Sequence, residues 1–445
     1  MLGTFIKTVR NLYYHYPKIN QDHEGDGPFA NLKIALVTDY LTTASLSYEC
    51  RIVCLTTSNF KTVLKEWKPD FIFVESAFHG YLWSWSYKIA KTSKIFNIDY
   101  LSDFRTLINL ARELKIPTVF WNKDDGAFFD TFIDAASLCD YIYTADSGSI
   151  EKYCTALNLP VMNTHLTKTN TDSAVLEHNT ADESCINNCN SELHDNNAFA
   201  TAVNESKRDI SDFNVISSAF EKQNIEKKSN ADKNNYGSSS QDHHVNIGLL
   251  RMAVQHRNHF FKGFAFEKKS MCFVGSYYSQ ILNERKIFLN EIFSACNEKN
   301  VPVDIYNRNS FRLSRIFDFN FPKYSNLTIL PKLANEDTAD IYRKYNVSLN
   351  VNSITDSPTM CSRRLLEILA CGGILVTNNS LSVKEMFKDY CTVINCSDEA
   401  LELLPGMVER PSAENMDKAE AGSRFIAENF TWEKRLEQLT VDLKL

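Results

Sequence analysis

The sequence predicts an α/β protein built from two Rossmann-like, doubly wound halves that face a central cleft, with a long disordered insertion between them. Two separate series of short apolar runs alternate with helical stretches, the pattern of mostly parallel sheets covered on both faces. A polar tract separates the two series. A chain of 445 residues is also too long for one hydrophobic core.

Residues 1–30 read as a leading helix and linker, because Phe5, Ile6, Val9, Leu12, Tyr13 and Tyr16 recur at helical spacing before a polar, Gly-containing segment. The first half is expected over 31–165, with strands at 34–37, 52–55, 71–74, 118–121 and 141–144. Residues 166–245 are rich in Asn, Ser, Asp, Glu and Lys and poor in aromatics. They cannot bury enough apolar area to offset chain entropy, so a disordered low-complexity insertion is expected. The second half is expected over 246–425, with strands at 271–274, 303–306, 327–330, 347–351, 374–376 and 391–394 and helices at 283–296 and 338–345. Residues 413–445 read as further helices.

Bulk properties exclude several classes. The formal charge of −7 and the lack of a Lys/Arg-rich tract argue against nucleic-acid partners and anionic membrane surfaces. No window approaches eighteen continuous apolar residues, and no secretory pattern opens the chain. A cytoplasmic protein without a transmembrane segment is expected, with peripheral membrane contact left open. The 12 cysteines sit mostly singly in apolar segments, as packed thiols do. The Cys50/Cys54 and Cys185/Cys189 pairs lack the ligand context of a metal centre, so none is expected.

Residues 356–373 carry the strongest chemical signal. Ser357 or Asp356 suits a helix N-cap, Pro358 the first helical position, and Gly372 the residue past the last turn. Such an N-terminus offers unpaired amides and a positive dipole end to phosphate, reinforced by Arg363 and Arg364. Glu367 lies four residues beyond Arg363 and three beyond Arg364, on the same face, where it can accept from a ribose hydroxyl. The same spacing also suits an ordinary surface ion pair worth about 0.3–0.5 kcal/mol. Gly275 and Ser276 follow an apolar run, where an absent Cβ lets amides approach a phosphate. Neither half carries a Walker loop or the glycine fingerprint of dinucleotide binding. In the first half, Trp121, Asn122, Lys123, Asp124 and Asp125 follow a strand, and a carboxylate there can orient or deprotonate an acceptor hydroxyl. Asp125 and Asp124 are candidate catalytic residues, as is His79. Glu75 and Ser76, beyond strand 71–74, are candidate acceptor-side residues with Trp121, Asn122 and Lys123.

These three motifs, 357–372 with 273–278 and 120–125, resemble in kind and order the CgeB-like glycosyltransferases, a bacterial group related to the family 4 type GT-B enzymes. The likeness runs from about Leu32 to Trp432 apart from the insertion. It implies a GT-B fold, a last helix at 426–445 crossing back onto the N-terminal domain, and a UDP- or GDP-linked sugar as donor. It further implies no cofactor, no divalent metal, and a glycan, lipid-linked or protein acceptor. By the same likeness Arg285 and Arg308 stand near the donor diphosphate, Lys332 near the base, and His256 in the hinge beside the cleft. Related enzymes commonly carry two glutamates eight positions apart. Glu367 matches the second, while the first position holds Thr359, so hydroxyl or backbone contacts from Ser357, Pro358, Thr359 and Met360 take its place in the expected donor site. The kinship points to retention of configuration, although the carboxylates near Asp125 keep inversion open. The alternative is a catalytically inactive protein that keeps the fold for a structural or interaction role in a spore or surface layer.

Overall fold

The computed structural model describes residues 22–91, 99–160, 245–278, 282–309 and 320–445. The expected leading helix and the expected insertion, except for Val245, fall outside the described residues.

The first half carries strands β1 (Phe29–Val37), β2 (Cys50–Cys54), β3 (Phe71–Glu75), β4 (Thr118–Asn122), β5 (Tyr141–Thr144) and β6 (Asn246–Leu249). They form one parallel sheet in the order β2-β1-β3-β4-β5-β6. Helices α1 (Tyr40–Glu49), α2 (Ser102–Glu113), α3 (Asp125–Ala136) and α4 (Ile150–Ala156) intervene. Successive side chains leave opposite faces of a strand, and both faces are covered. Ala35, Val37, Ile72, Val74 and Phe120 therefore pack into one core, and Ile34, Leu36, Phe71, Phe73 and Trp121 into another. This explains why the strands read as unbroken apolar runs. β6 pairs with β5 along Tyr141 to Thr144, so residues 246–249 complete the first sheet instead of opening the second half as expected.

The second half repeats the scheme with β7 (Lys268–Gly275), α5 (Asn283–Glu298), β8 (Val303–Asn307), β9 (Leu327–Leu330), α6 (Thr338–Lys344), β10 (Tyr345–Leu349), α7 (Arg363–Ala370), β11 (Leu375–Asn378), β12 (Thr392–Ile394), α8 (Ser397–Glu409) and α9 (Ala413–Asn429). Its parallel sheet runs β12-β11-β10-β7-β8-β9. Two doubly wound parallel sheets of this kind are the GT-B architecture. The last helix, α10 (Trp432–Leu443), returns to the first half: Trp432, Leu436, Leu439 and Leu443 pack with Phe73 and Trp121, and Gln438 donates to the Leu249 carbonyl at 2.8 Å.

Every described cysteine is a free thiol, and all but Cys396 are buried. Among the described residues no helix is long and apolar enough to cross a membrane.

Candidate functional site

In both sheets the residues that carry chemistry cluster at the carboxyl ends of the strands, where doubly wound folds place ligands. On the second half, three guanidinium groups meet there. Arg364 donates through Nε to the Val274 carbonyl at 2.5 Å and lies over the Phe273 ring at 4.8 Å. Arg285, rooted on α5, donates to the carbonyls of Val351 at 3.1 Å and Ser276 at 3.0 Å. Arg308 follows β8 and is exposed. Among the described residues none of the three forms an ion pair with a carboxylate. Burial, then the Arg364 charge beside it, brings Arg285 down to about 9, and burial likewise holds Arg364 below its usual range. Gly275 has a use that the sequence does not show. A Cβ there would stand 2.7 Å from Nη2 of Arg364 and 2.7 Å from the Phe273 ring, so the glycine makes room for the arginine.

Helix α7 begins at Arg363 and not at Pro358 as expected. Residues 356–362 stay irregular because their side chains bond elsewhere. Ser357 Oγ donates to Asp146 Oδ1 at 2.6 Å and accepts from the Met360 amide at 2.9 Å. Thr359 Oγ1 donates to the Ala145 carbonyl and accepts from the Ser147 amide, both at 2.9 Å. These hydroxyls face the first half, which corrects their expected role as donor contacts. Pro358 and Met360 are half-buried in the same loop. The Ser362 side chain makes no capping bond; its amide instead donates to Asn352 Oδ1 at 2.9 Å. Gly372, at φ +70°, ends the helix as expected.

Glu367 is buried, 3.0 Å from Arg363 Nε, and accepts from Asn335 Nδ2 at 2.9 Å. Burial pushes its carboxyl up, but Arg363, His259 and the Asn335 amide outweigh that, so it lies below the usual carboxylate range and is charged. The histidine here is His259, buried beside Thr338 at 2.9 Å and lowered by burial. His256, the expected cleft residue, is exposed three positions earlier. Lys332 is half-buried just past β9.

The first half presents a compact polar group. Glu75, fully buried at the end of β3, accepts from the Asp39 amide at 2.5 Å and from the Thr42 hydroxyl, and lies 3.1 Å from Lys123 Nζ. Ser76 Oγ donates to Asp124 Oδ2 at 3.0 Å and accepts from the Lys123 amide at 3.2 Å. Asp39 Oδ1 accepts from the Gly80 amide at 2.9 Å. Burial raises Asp39, Glu75 and Asp124 against the opposing pull of Lys123. Lys123 itself would be lowered by burial, but Glu75, Asp124 and Asp39 raise it. One ammonium thus serves three carboxylates, and Asp124 also feels the charge of Arg363 from the second half. Asp39 was not among the expected residues, although the signal that points to Glu75 and Asp124, a carboxylate just past a buried strand, points equally to it.

Asp125 and Asn122 are placed differently from expectation. Asp125 is buried under α4, where it accepts from Tyr153 at 2.8 Å and from Asn122, and burial pushes it up to about 7. It braces α3 and α4 where Asp124, half-buried, lines the site. Trp121 leaves β4 on the opposite face, donates to the Leu250 carbonyl at 2.8 Å and meets Trp432 edge-on at 5.5 Å, so it is a core residue and not an acceptor contact. His79 stacks on Trp83 at 3.8 Å, with Nδ1 3.2 Å from Ser86 Oγ. Among the described residues no group of three or more His, Cys, Asp or Glu side chains is arranged to hold a metal ion.

Residues 278–440 match a protein family described as glycosyl transferase-like. No curated protein matches the chain. Solved structures similar to it include sucrose-phosphate synthase from Thermosynechococcus elongatus, at 8% identity, covering 93% of this chain and 98% of that one with a TM-score of 0.44. Anabaena HepE in complex with UDP and glucose is similar at 8% identity over 93% of this chain and 91% of that one, with a TM-score of 0.44. A trehalose-6-phosphate synthase, OtsA, is similar at 10% identity over 87% and 75%, with a TM-score of 0.42. Likenesses this distant transfer neither substrate nor mechanism.

Proposed function

We propose that the protein is a glycosyltransferase that moves a sugar from a UDP- or GDP-linked donor to an acceptor hydroxyl without a divalent metal. The observation that carries this reading is the meeting of Arg285, Arg308 and Arg364 at the strand ends of the second half with, among the described residues, no carboxylate paired to any of them. Guanidinium groups that repel one another in a half-buried site are stabilised by a polyanion, and a diphosphate is the polyanion such a fold receives at that edge. Charged Glu367, fixed by Arg363 and Asn335, is suited to accept from a ribose diol. As the sugar–oxygen bond breaks, negative charge grows on the departing diphosphate, and arginines already in place lower that barrier without reorganising. Asp124, opposite Arg363, is the base that would take the acceptor proton, with Ser76 orienting it and Lys123 holding the surplus negative charge. The resemblance favours a retained anomeric configuration and a glycan, lipid-linked or protein acceptor.

The test is a panel of UDP- and GDP-sugars, read by thermal shift and by donor hydrolysis, with native protein, Arg364→Ala and Glu367→Ala. A ligand that binds only the native state raises its stability by about 2.7 kcal/mol at a hundredfold excess over Kd. Both substitutions are expected to weaken that shift while the far-UV spectrum stays unchanged. A panel in which no donor shifts the native protein overturns the reading, and with it the preference over a catalytically inactive structural role.

A further inference from the structure

The loop 353–362 leads directly into Arg363 and Arg364, yet two of its side chains, Ser357 and Thr359, bond to the opposite half. Ser357 reaches Asp146, and Thr359 bridges the Ala145 carbonyl and the Ser147 amide, so one hydroxyl is satisfied both as donor and as acceptor by backbone some 210 residues away in the chain. The receiving turn is itself rigid: Asp146 also accepts from the Gly148 amide at 3.0 Å and the Ser149 hydroxyl at 2.7 Å. Ile354 of the same loop lies against Gly126 at the start of α3, where a Cβ would come within 2.8 Å of its side chain. On another part of the cleft, Tyr40 donates to Glu336 at 3.0 Å.

We propose that this loop is a clasp that holds the two halves together before any donor arrives. Ser357 and Thr359 act as positioning residues that set Arg363 opposite Asp124, with Arg364 next to it in the chain; this last consequence rests on the donor reading above. Position 359 is eight before Glu367, where the resembled enzymes carry an acid. Here its neighbours are a carbonyl oxygen and the Asp146 turn, so a carboxylate would lose the bond to Ala145 and face negative charge. A threonine satisfies both partners. The side chain at this position joins the halves.

The experiment uses the full chain with amide hydrogen exchange, X-ray scattering and titration with UDP. The variants are Thr359→Val, which keeps the shape and removes the hydroxyl, Thr359→Ser, which keeps the hydroxyl, and Thr359→Glu. Loss of a hydrogen bond of ordinary strength is expected to speed exchange of the Ser147 amide roughly tenfold in Thr359→Val. The scattering radius should grow in Thr359→Val and more in Thr359→Glu, while the amides of β1 and β7 exchange as in the native protein. Thr359→Ser should restore native behaviour, and UDP should bind the valine variant roughly tenfold more weakly. Unchanged Ser147 exchange in Thr359→Val, a serine variant as loose as the valine one, or unchanged UDP affinity in a loosened seam overturns the clasp. Should UDP bind no version, the donor reading fails, and exchange and scattering still decide whether the halves are clasped.

Discussion

Replacing Gly275 by alanine adds one methyl group at the point where the arginine cluster is packed. The new Cβ would stand 2.7 Å from Arg364 Nη2 and 2.7 Å from Phe273 Cζ, well inside contact distance. Neither neighbour can give easily. The Phe273 ring is wedged between Phe293 and Phe321, each with its ring centre 6.2 Å away, and Arg364 is tied by Nε to the Val274 carbonyl. Gly275 is not among the residues with positive φ, so alanine suits the backbone and the whole effect falls on these two side chains. Overpacking of this kind costs about 1–3 kcal/mol, and each kcal/mol lowers Tm by roughly 2–4 °C in domains of about 150–250 residues. If Arg364 holds a diphosphate as proposed, turning the guanidinium away also removes a charge-assisted hydrogen bond worth about 1.5–3 kcal/mol, or roughly 10- to 150-fold in affinity. Calorimetric titration with UDP and a melting curve read both quantities. A variant that melts and binds UDP as the native protein does would refute the claim that this glycine exists to seat Arg364. Pairing it with Arg364→Ala should give less than the sum of the two losses, since the deletion relieves half of the clash.

Three further outcomes follow from the geometry. Asp125 is raised to about 7 in the folded chain, so between its unfolded value near 3.8 and pH 7 the native state binds the extra proton. Its stabilising contribution is therefore full below about 3.8 and lost as pH rises from there through 7, with a steepest slope of about 1.4 kcal/mol per pH unit; Asp125→Asn should flatten the fall of Tm between about pH 4 and 7. Arg363→Ala leaves the buried charge of Glu367 to its hydrogen bond from Asn335, and should cost roughly 1–3 kcal/mol by denaturant titration, part of which Glu367→Gln should restore in the double variant. Asp124→Asn should keep the fold and UDP binding while transfer to an acceptor falls roughly 10²- to 10⁴-fold in kcat; a variant with native turnover removes Asp124 from the role of base.

The strands were readable because both sheets are buried on both faces and so announce themselves as apolar runs, and the position of the polar residues just past β3, β4 and β7, at the carboxyl ends of the strands, followed from that. The expected helix start at Pro358 failed for a tertiary reason: the hydroxyls that resemble local caps bond to Ala145, Asp146 and Ser147, partners that no local window contains. Trp121 and Asn122 could not be sorted by type, since both faces of the sheet are buried and only their tertiary partners, Trp432 for the first and Asp125 with Tyr153 for the second, show where each side chain goes. His259, which the sequence reading did not single out, is buried while His256 is exposed; both sit in one irregular segment without a period that tells inward from outward. β6 was assigned to the wrong half because a strand of four residues carries no mark of the sheet it will join.

Helix α10 has a consequence for how the chain is made. Its Trp432 fills space beside Phe73 and Trp121, which leave the ribosome more than three hundred residues earlier. Until then that flank of the first sheet is an apolar surface looking for a cover, which during synthesis invites chaperones or wrong partners. The N-terminal half is thus finished last, and a stop codon placed before Trp432 would damage the part of the molecule farthest from it in sequence.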